Sequence, residues 1–140
     1  MSRVLLDTEV WFGFFNQDDL FHHDARVLLR KLLEDNKKIL LPEVERFELL
    51  NSLTHELLNH PRVREIDSEL RGMSPHVEVR YNEAPFLVEI LPSNLPRRFL
   101  KTMDFIIATC ALHCEVDEFY SFDEKLRGHL KSPSTQQFPP

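Results

Sequence analysis

The sequence predicts an α/β fold, a three-layer α/β/α sandwich around a central, mainly parallel sheet. Short apolar runs, such as VLL at 4–6 and ILL at 39–41, alternate with longer stretches whose apolar residues recur at helical spacing. Strands buried on both faces read as continuous apolar runs, and the helices that connect parallel strands cover those faces. A chain of 140 residues is long enough for one such domain. We assign residues 1–131 to it and expect 132–140, with three of the nine prolines, to form a flexible tail.

The N-terminal half contains two predicted strands, each followed by a helical pattern. Residues 3–6 form the first strand, and 21–34 form a helix in which leucines recur at helical spacing. Residues 39–41 form the second strand, after which 43–60 is predicted as a helix. Pro61 is expected to end that helix, because proline lacks the N–H that a helix interior requires.

The C-terminal half is less regular until residue 103. Residues 77–81 alternate between apolar and polar side chains as an exposed strand does, and 86–91 form a further candidate strand. Residues 103–113 are apolar on nearly every side, which predicts a central helix. A strand at 119–122 and a short helix at 124–130 complete the predicted domain.

Composition excludes several classes of protein. The net charge of −6 argues against nonspecific binding to nucleic acid, and the three glycines form no glycine-rich phosphate-binding motif. Cys110 and Cys114 lie in an apolar helical stretch, so we expect buried reduced thiols rather than a disulfide or a zinc site. No apolar run is long enough to cross a membrane, and we expect a soluble, cytoplasmic protein.

Four acidic residues lie where an apolar segment begins, ends or is interrupted: Asp7, Glu48, Asp104 and Asp123. Each has an ordinary structural explanation, as a helix cap, a first-turn residue or the solvated margin of a helix. Their joint placement is more informative, because the carboxyl ends of parallel strands meet at one edge of the sheet. Carboxylates gathered there predict a hard divalent cation. Glu45, one turn before Glu48, either supports this site or is solvated.

The acidic residues lie in four short segments: VLLDT at 4–8, FELLNSL at 47–53, DFIIATCAL at 104–112 and YSFDEKL at 120–126. Taken in order, these segments resemble those of the PIN-domain ribonucleases, and specifically the VapC-like toxins of prokaryotic toxin–antitoxin pairs. Each segment is short and degenerate, but their order and spacing make the resemblance specific. The resemblance covers most of the chain, and only residues 61–92 and the tail lie outside it.

The resemblance implies an endoribonuclease that depends on Mg²⁺ or Mn²⁺. Such an enzyme hydrolyses RNA phosphodiester bonds and leaves 5′-phosphate and 3′-hydroxyl ends. Asp7 and Asp104 would be the main metal ligands, and Asp123 and Glu48 would complete the catalytic set. Homodimerisation and a cognate antitoxin are also typical of the resembling family.

Other residues are candidates for supporting roles. Thr8 and Ser121 are expected to position the carboxylates through hydrogen bonds. Three basic residues are candidate RNA contacts: Arg97, Arg98 and Lys101. A cluster of this kind could equally be a solvated surface.

Two other functions are consistent with the same residues. A catalytically weak PIN-like module that binds RNA or protein is one alternative, because Glu9 stands where the family has Asn or Ser and adds negative charge. A structure-specific DNA nuclease is another, although 140 residues leave little room for the helices that thread a strand. Cleavage of a structured RNA in the presence of metal distinguishes the enzyme from the binding module.

Overall fold

The computed structural model describes residues 2–57, 60–73, 75–80, 110, 114, 116–122 and 134–136. Among these residues, five strands form one sheet in the order β3-β2-β1-β4-β5, and every pair of neighbouring strands is parallel. The elements in chain order are β1 Arg3–Leu6, α1 Thr8–Phe15, α2 His22–Glu34, β2 Lys38–Pro42, α3 Glu43–Leu57, α4 His60–Gly72, β3 Val77–Arg80, β4 Glu118–Tyr120 and β5 Ser134–Gln136. The predicted α/β fold with a mainly parallel sheet is therefore confirmed.

Strand β1 lies in the centre of the sheet, and its side chains are buried on both faces. Val4 and Leu6 belong to a core that also contains apolar residues of β2 and of helices α1 to α4. Leu5 points to the opposite face, because successive side chains of a strand alternate, and it is fully buried too. Both faces of the sheet are therefore covered, which explains why the strands read as unbroken apolar runs.

The pairing of β1 fixes the position of the residue that follows it. Leu5 is paired with Leu40 of β2 on one side and with Phe119 of β4 on the other. The next strand in the chain, β2, therefore lies on one side of β1, and the later strand β4 lies on the other. This arrangement is a topological switch point, where ligands bind in open α/β sheets. Asp7 lies at this point, and its N–H donates a hydrogen bond to the carbonyl of Tyr120 at 2.9 Å.

The segment after residue 57 differs from its sequence-based prediction. The predicted helix 43–60 ends at Leu57 in the structure, and a second helix, α4, begins at His60 and continues to Gly72. Pro61 does not prevent this helix, because its missing N–H costs nothing in the first helical turn. Helical spacing is hard to recognise here because α4 has few apolar residues, of which Val63, Ile66 and Leu70 are buried.

The C-terminal predictions have mixed outcomes. A strand predicted at 77–81 is confirmed as β3, whereas the predicted strand at 86–91 and the predicted helix at 124–130 lie outside the described residues. Residues 134–136, which lie within the predicted tail, pair with β4 through their backbone. Cys110 and Cys114 are buried and form no disulfide, as expected, and burial raises the pKa of Cys110 to about 12. Within the described part of the chain, no helix is long and apolar enough to span a membrane.

Candidate active site

The Asp7 carboxylate is held in place at the end of β1. Asp7 is the N-cap of α1, and its Oδ1 accepts a hydrogen bond from the N–H of Thr8 at 2.8 Å. Its Oδ2 accepts a hydrogen bond from the hydroxyl of Ser121, also at 2.8 Å. Ser121 is within reach because it follows β4, whose last residue pairs with Leu6. With only 2% of its surface exposed, Asp7 has a fixed orientation at the carboxyl edge of the sheet.

Thr8 connects this carboxylate to Glu48, which is forty positions further along the chain. Its N–H binds Asp7, while its hydroxyl donates a hydrogen bond to Oε2 of Glu48 at 2.8 Å. Glu48 projects from α3, which begins directly after β2, the strand beside β1. The structure therefore brings together four of the residues selected from the sequence: Asp7, Thr8, Glu48 and Ser121.

Glu45 is a further acidic residue beside these four. It is fully buried, and the structure gives neither of its carboxyl oxygens a hydrogen-bond partner. Burial raises its pKa well above the usual value, and the charges of Asp7 and Glu48 raise it further. Of the two explanations that the sequence left open, solvation is therefore wrong. Its spacing of three residues from Glu48, which places both on one helix face, is the signal that pointed to it.

An open cavity of about 540 Å³ lies in front of the carboxylates. Its lining is strongly acidic, with five carboxylates and a single imidazole among ten residues: Asp7, Thr8, Glu9, Phe12, Asp19, Phe21, Glu48, Ser52, His55 and Glu56. Glu9 lines the cavity, so its charge adds to the negative charge of the site. Such a lining attracts cations and repels phosphate groups.

The donor groups fit a hard divalent cation. Carboxylate and hydroxyl oxygens are the groups that Mg²⁺ and Mn²⁺ prefer, and the buried oxygens of Glu45 nearby accept no hydrogen bond. Within the described ranges, no three acidic, histidine or cysteine side chains are placed to hold a metal by themselves. Asp104 and Asp123, the other two predicted ligands, lie outside the described residues, as do the predicted RNA contacts Arg97, Arg98 and Lys101.

Solved structures with the same fold are known. One is the VapC20 toxin of Mycobacterium tuberculosis, which cleaves the sarcin–ricin loop (16% identity, 89% of this chain and 93% of that chain covered, TM-score 0.69). Another is VapBC2 of Rickettsia felis, bound to a DNA fragment from its promoter (15% identity, coverage 96% and 98%, TM-score 0.68). A third is FitAcB of Neisseria gonorrhoeae (16% identity, coverage 88% and 89%, TM-score 0.59).

At these identities the structural likeness concerns the fold. No curated protein matches the sequence. The family comparison is more direct, since the PIN domain matches residues 4–129, nearly the whole length of the 140-residue chain. This range includes β1, the helix α3 that contains Glu45 and Glu48, and β4. By this match, the chain belongs to the PIN-domain family.

Proposed function

We propose that this protein is a metal-dependent endoribonuclease and the toxin of a toxin–antitoxin pair. Membership of the PIN-domain family supports the class of enzyme, and the fold shared with VapC20 supports the toxin. The observation that carries the proposal is the linked constellation of Asp7, Thr8, Glu48 and Ser121 at the carboxyl edge of the sheet. Asp7, Glu48, Asp104 and Asp123 are the proposed catalytic carboxylates and metal ligands.

Each described residue has a separate task in this proposal. Ser121 and the N–H of Thr8 hold the two oxygens of Asp7 in one orientation, so that the carboxylate does not have to be ordered when a cation binds. The hydroxyl of Thr8 holds Oε2 of Glu48 at the cavity. A Mg²⁺ or Mn²⁺ ion would supply a Lewis acid that polarises the phosphodiester and lowers the pKa of a bound water.

The acidic lining explains why such an enzyme would require a cation. Five carboxylates around one cavity oppose the entry of an RNA backbone, which has a negative charge on every phosphate. A divalent cation held by Asp7 and Glu48 would offset part of this negative charge. Arg97, Arg98 and Lys101 stay proposed as RNA contacts, together with an antitoxin and a second copy of the chain as protein partners.

Cleavage of a structured RNA by the purified protein tests the proposal. We expect cleavage with Mg²⁺ or Mn²⁺, 5′-phosphate products, and complete loss of activity when a chelator is added. Asp18→Asn is the matched control for Asp7→Asn, because Asp18 is an exposed turn residue that does not line the cavity. Metal-independent cleavage, or RNA binding without turnover, contradicts the proposal, and the second result favours the binding module.

A further inference from the structure

Glu45 is buried in a way that ordinary folding does not explain. It is 0% exposed, and of the carboxyl groups among the described residues it alone has two buried oxygens that accept no hydrogen bond. A buried polar group without a hydrogen bond destabilises the folded state, and native proteins satisfy nearly all such groups. A carboxyl group buried at this cost indicates that another state of the protein offsets the cost.

The position of Glu45 on α3 relates it to the proposed catalytic site. Residues three apart on a helix lie on the same face, so Glu45 lies one turn from Glu48 toward the start of the helix. Glu48 lines the cavity, but Glu45 does not, and it is closed off from solvent. Asp7 and Glu48 line the cavity while Glu45 is enclosed, so Glu45 lies behind these two carboxylates, and their charges act on it.

The nearest basic residue in the sequence does not neutralise Glu45. Arg46 follows it directly, but the guanidinium of Arg46 binds Glu43 at 2.6 Å and Asp67 at 2.7 Å. The Arg46 side chain thus makes these contacts on the other side of the helix from Glu45. A buried carboxyl whose purpose was structural would be expected to have a cation or a hydrogen-bond donor of this kind.

We propose that Glu45 is a positioning residue of the metal centre, which acts from behind Asp7 and Glu48 and strengthens the binding of a divalent cation. The inference rests on the proposed function. Direct ligation is not required, because Glu45 does not line the cavity. Instead, a cation bound by the two carboxylates in front of it would favour the ionised form of Glu45, whose charge would then add to the field that holds the cation.

Binding of Mg²⁺ or Mn²⁺ in the absence of RNA tests this role. Isothermal titration calorimetry would compare the wild type, Glu45→Gln and the control Glu43→Gln, which removes a charge from the same turn but on the side of Arg46. We expect Glu45→Gln to weaken cation binding by about 10- to 100-fold, the usual cost of losing a group behind a metal ligand. Glu43→Gln should keep the wild-type affinity.

Thermal unfolding with and without Mg²⁺ provides a second readout, which a merely structural role would not change in the same way. Without metal, Glu45→Gln and the apolar variant Glu45→Leu should unfold at a higher temperature than the wild type. With metal, both should show a smaller stabilisation than the wild type. Two variants are used because the proposal requires the fold to survive removal of this carboxyl, so failure of both to fold, judged by circular dichroism, also contradicts it.

The outcomes separate this inference from the proposed function. Unchanged cation affinity and an unchanged metal-dependent stabilisation in Glu45→Gln overturn the role of Glu45 alone. A wild-type protein that binds no divalent cation overturns both the role of Glu45 and the proposed metal dependence. Normal cation binding by the wild type without cleavage of RNA contradicts the enzyme but leaves the role of Glu45 supported by the binding data.

Discussion

Arg46 and Glu45 are neighbours in α3, but their side chains lie in two acidic clusters of different construction. Arg46 binds Glu43 and forms two hydrogen bonds with Asp67, which join α3 to α4. On the other side of the helix, the described donors to Asp7 and Glu48 are neutral hydroxyl and amide groups. Glu45, in the same cluster, accepts no hydrogen bond at all.

The difference between the two clusters indicates two purposes. A guanidinium that binds two carboxylates satisfies them within the folded chain, and it lowers the pKa of Asp67 mainly through their hydrogen bonds. This cluster stabilises the contact between two helices. Neutral donors orient carboxylates without cancelling their charge. In the proposed function, the Arg46 cluster stabilises the fold and the Asp7 cluster binds the cation.

The largest effect is expected from Asp7→Asn. This change keeps the shape of the side chain but removes the charge of a proposed ligand, so cleavage of RNA should be abolished. Loss of a group behind a ligand already costs about 10- to 100-fold in metal affinity or activity, and loss of a ligand should cost more. Gel analysis of an end-labelled RNA measures the rate. Cleavage at the wild-type rate would remove Asp7 from the catalytic site.

Arg46→Met should have the next largest effect, on stability rather than on metal binding. It removes the partner of Glu43 and leaves Asp67 with the longer contact to Arg71 at 3.5 Å, and we expect a loss of about 3 kcal/mol in the free energy of unfolding, measured with urea. This is at the low end for buried pairs, because 23% of the Asp67 side chain is exposed. Substituting Asp67→Leu as well should recover part of the loss. Weakened Mg²⁺ binding by a folded Arg46→Met protein would contradict the separation of the two clusters.

Ser121→Ala should have a smaller effect on the other cluster. It removes the hydroxyl that donates to Oδ2 of Asp7, so the carboxylate loses one of its two described restraints. We expect about a 10-fold loss of Mg²⁺ affinity, measured by calorimetry, at the low end for such a group. Thr54→Ala is the control, because the Thr54 hydroxyl bonds a carbonyl within α3 and lies away from the cavity. Equal effects of both variants would exclude a specific role for Ser121.

The smallest predicted effect is a pH dependence of the Arg46 cluster. Since Arg46 lowers the pKa of Asp67 in the folded state, the stabilisation is complete above the ordinary value of 3.8 and is lost as pH falls through the lower folded pKa. Wild type should therefore exceed Asp67→Asn in stability at neutral pH, and by less below about pH 4. Urea unfolding at several pH values measures the difference. A stability difference between the two proteins that grows at acid pH would contradict this prediction.

Sequence patterns were sufficient where structure follows from local periodicity. The apolar runs predicted β1 and β2 as buried strands, and the helical spacing of leucines predicted α2 almost to its ends. Asp7 could be selected because a carboxylate at the end of a buried strand has a defined place at the sheet edge. These features depend on residues that are close in the chain, and the spacing of the apolar residues indicates which side chains are buried.

Tertiary structure decided which of the scattered polar groups meet, because contacts between distant residues leave no local period in the sequence. The pairing of β1 with β4 brought Ser121 to Asp7, and the packing of α3 against α1 brought Glu48 to Thr8. The same packing buried Glu45, whose position on the helix was equally compatible with water. The sequence by itself determined an α/β domain with carboxylates at its strand ends, and three-dimensional packing determined which of them share one site.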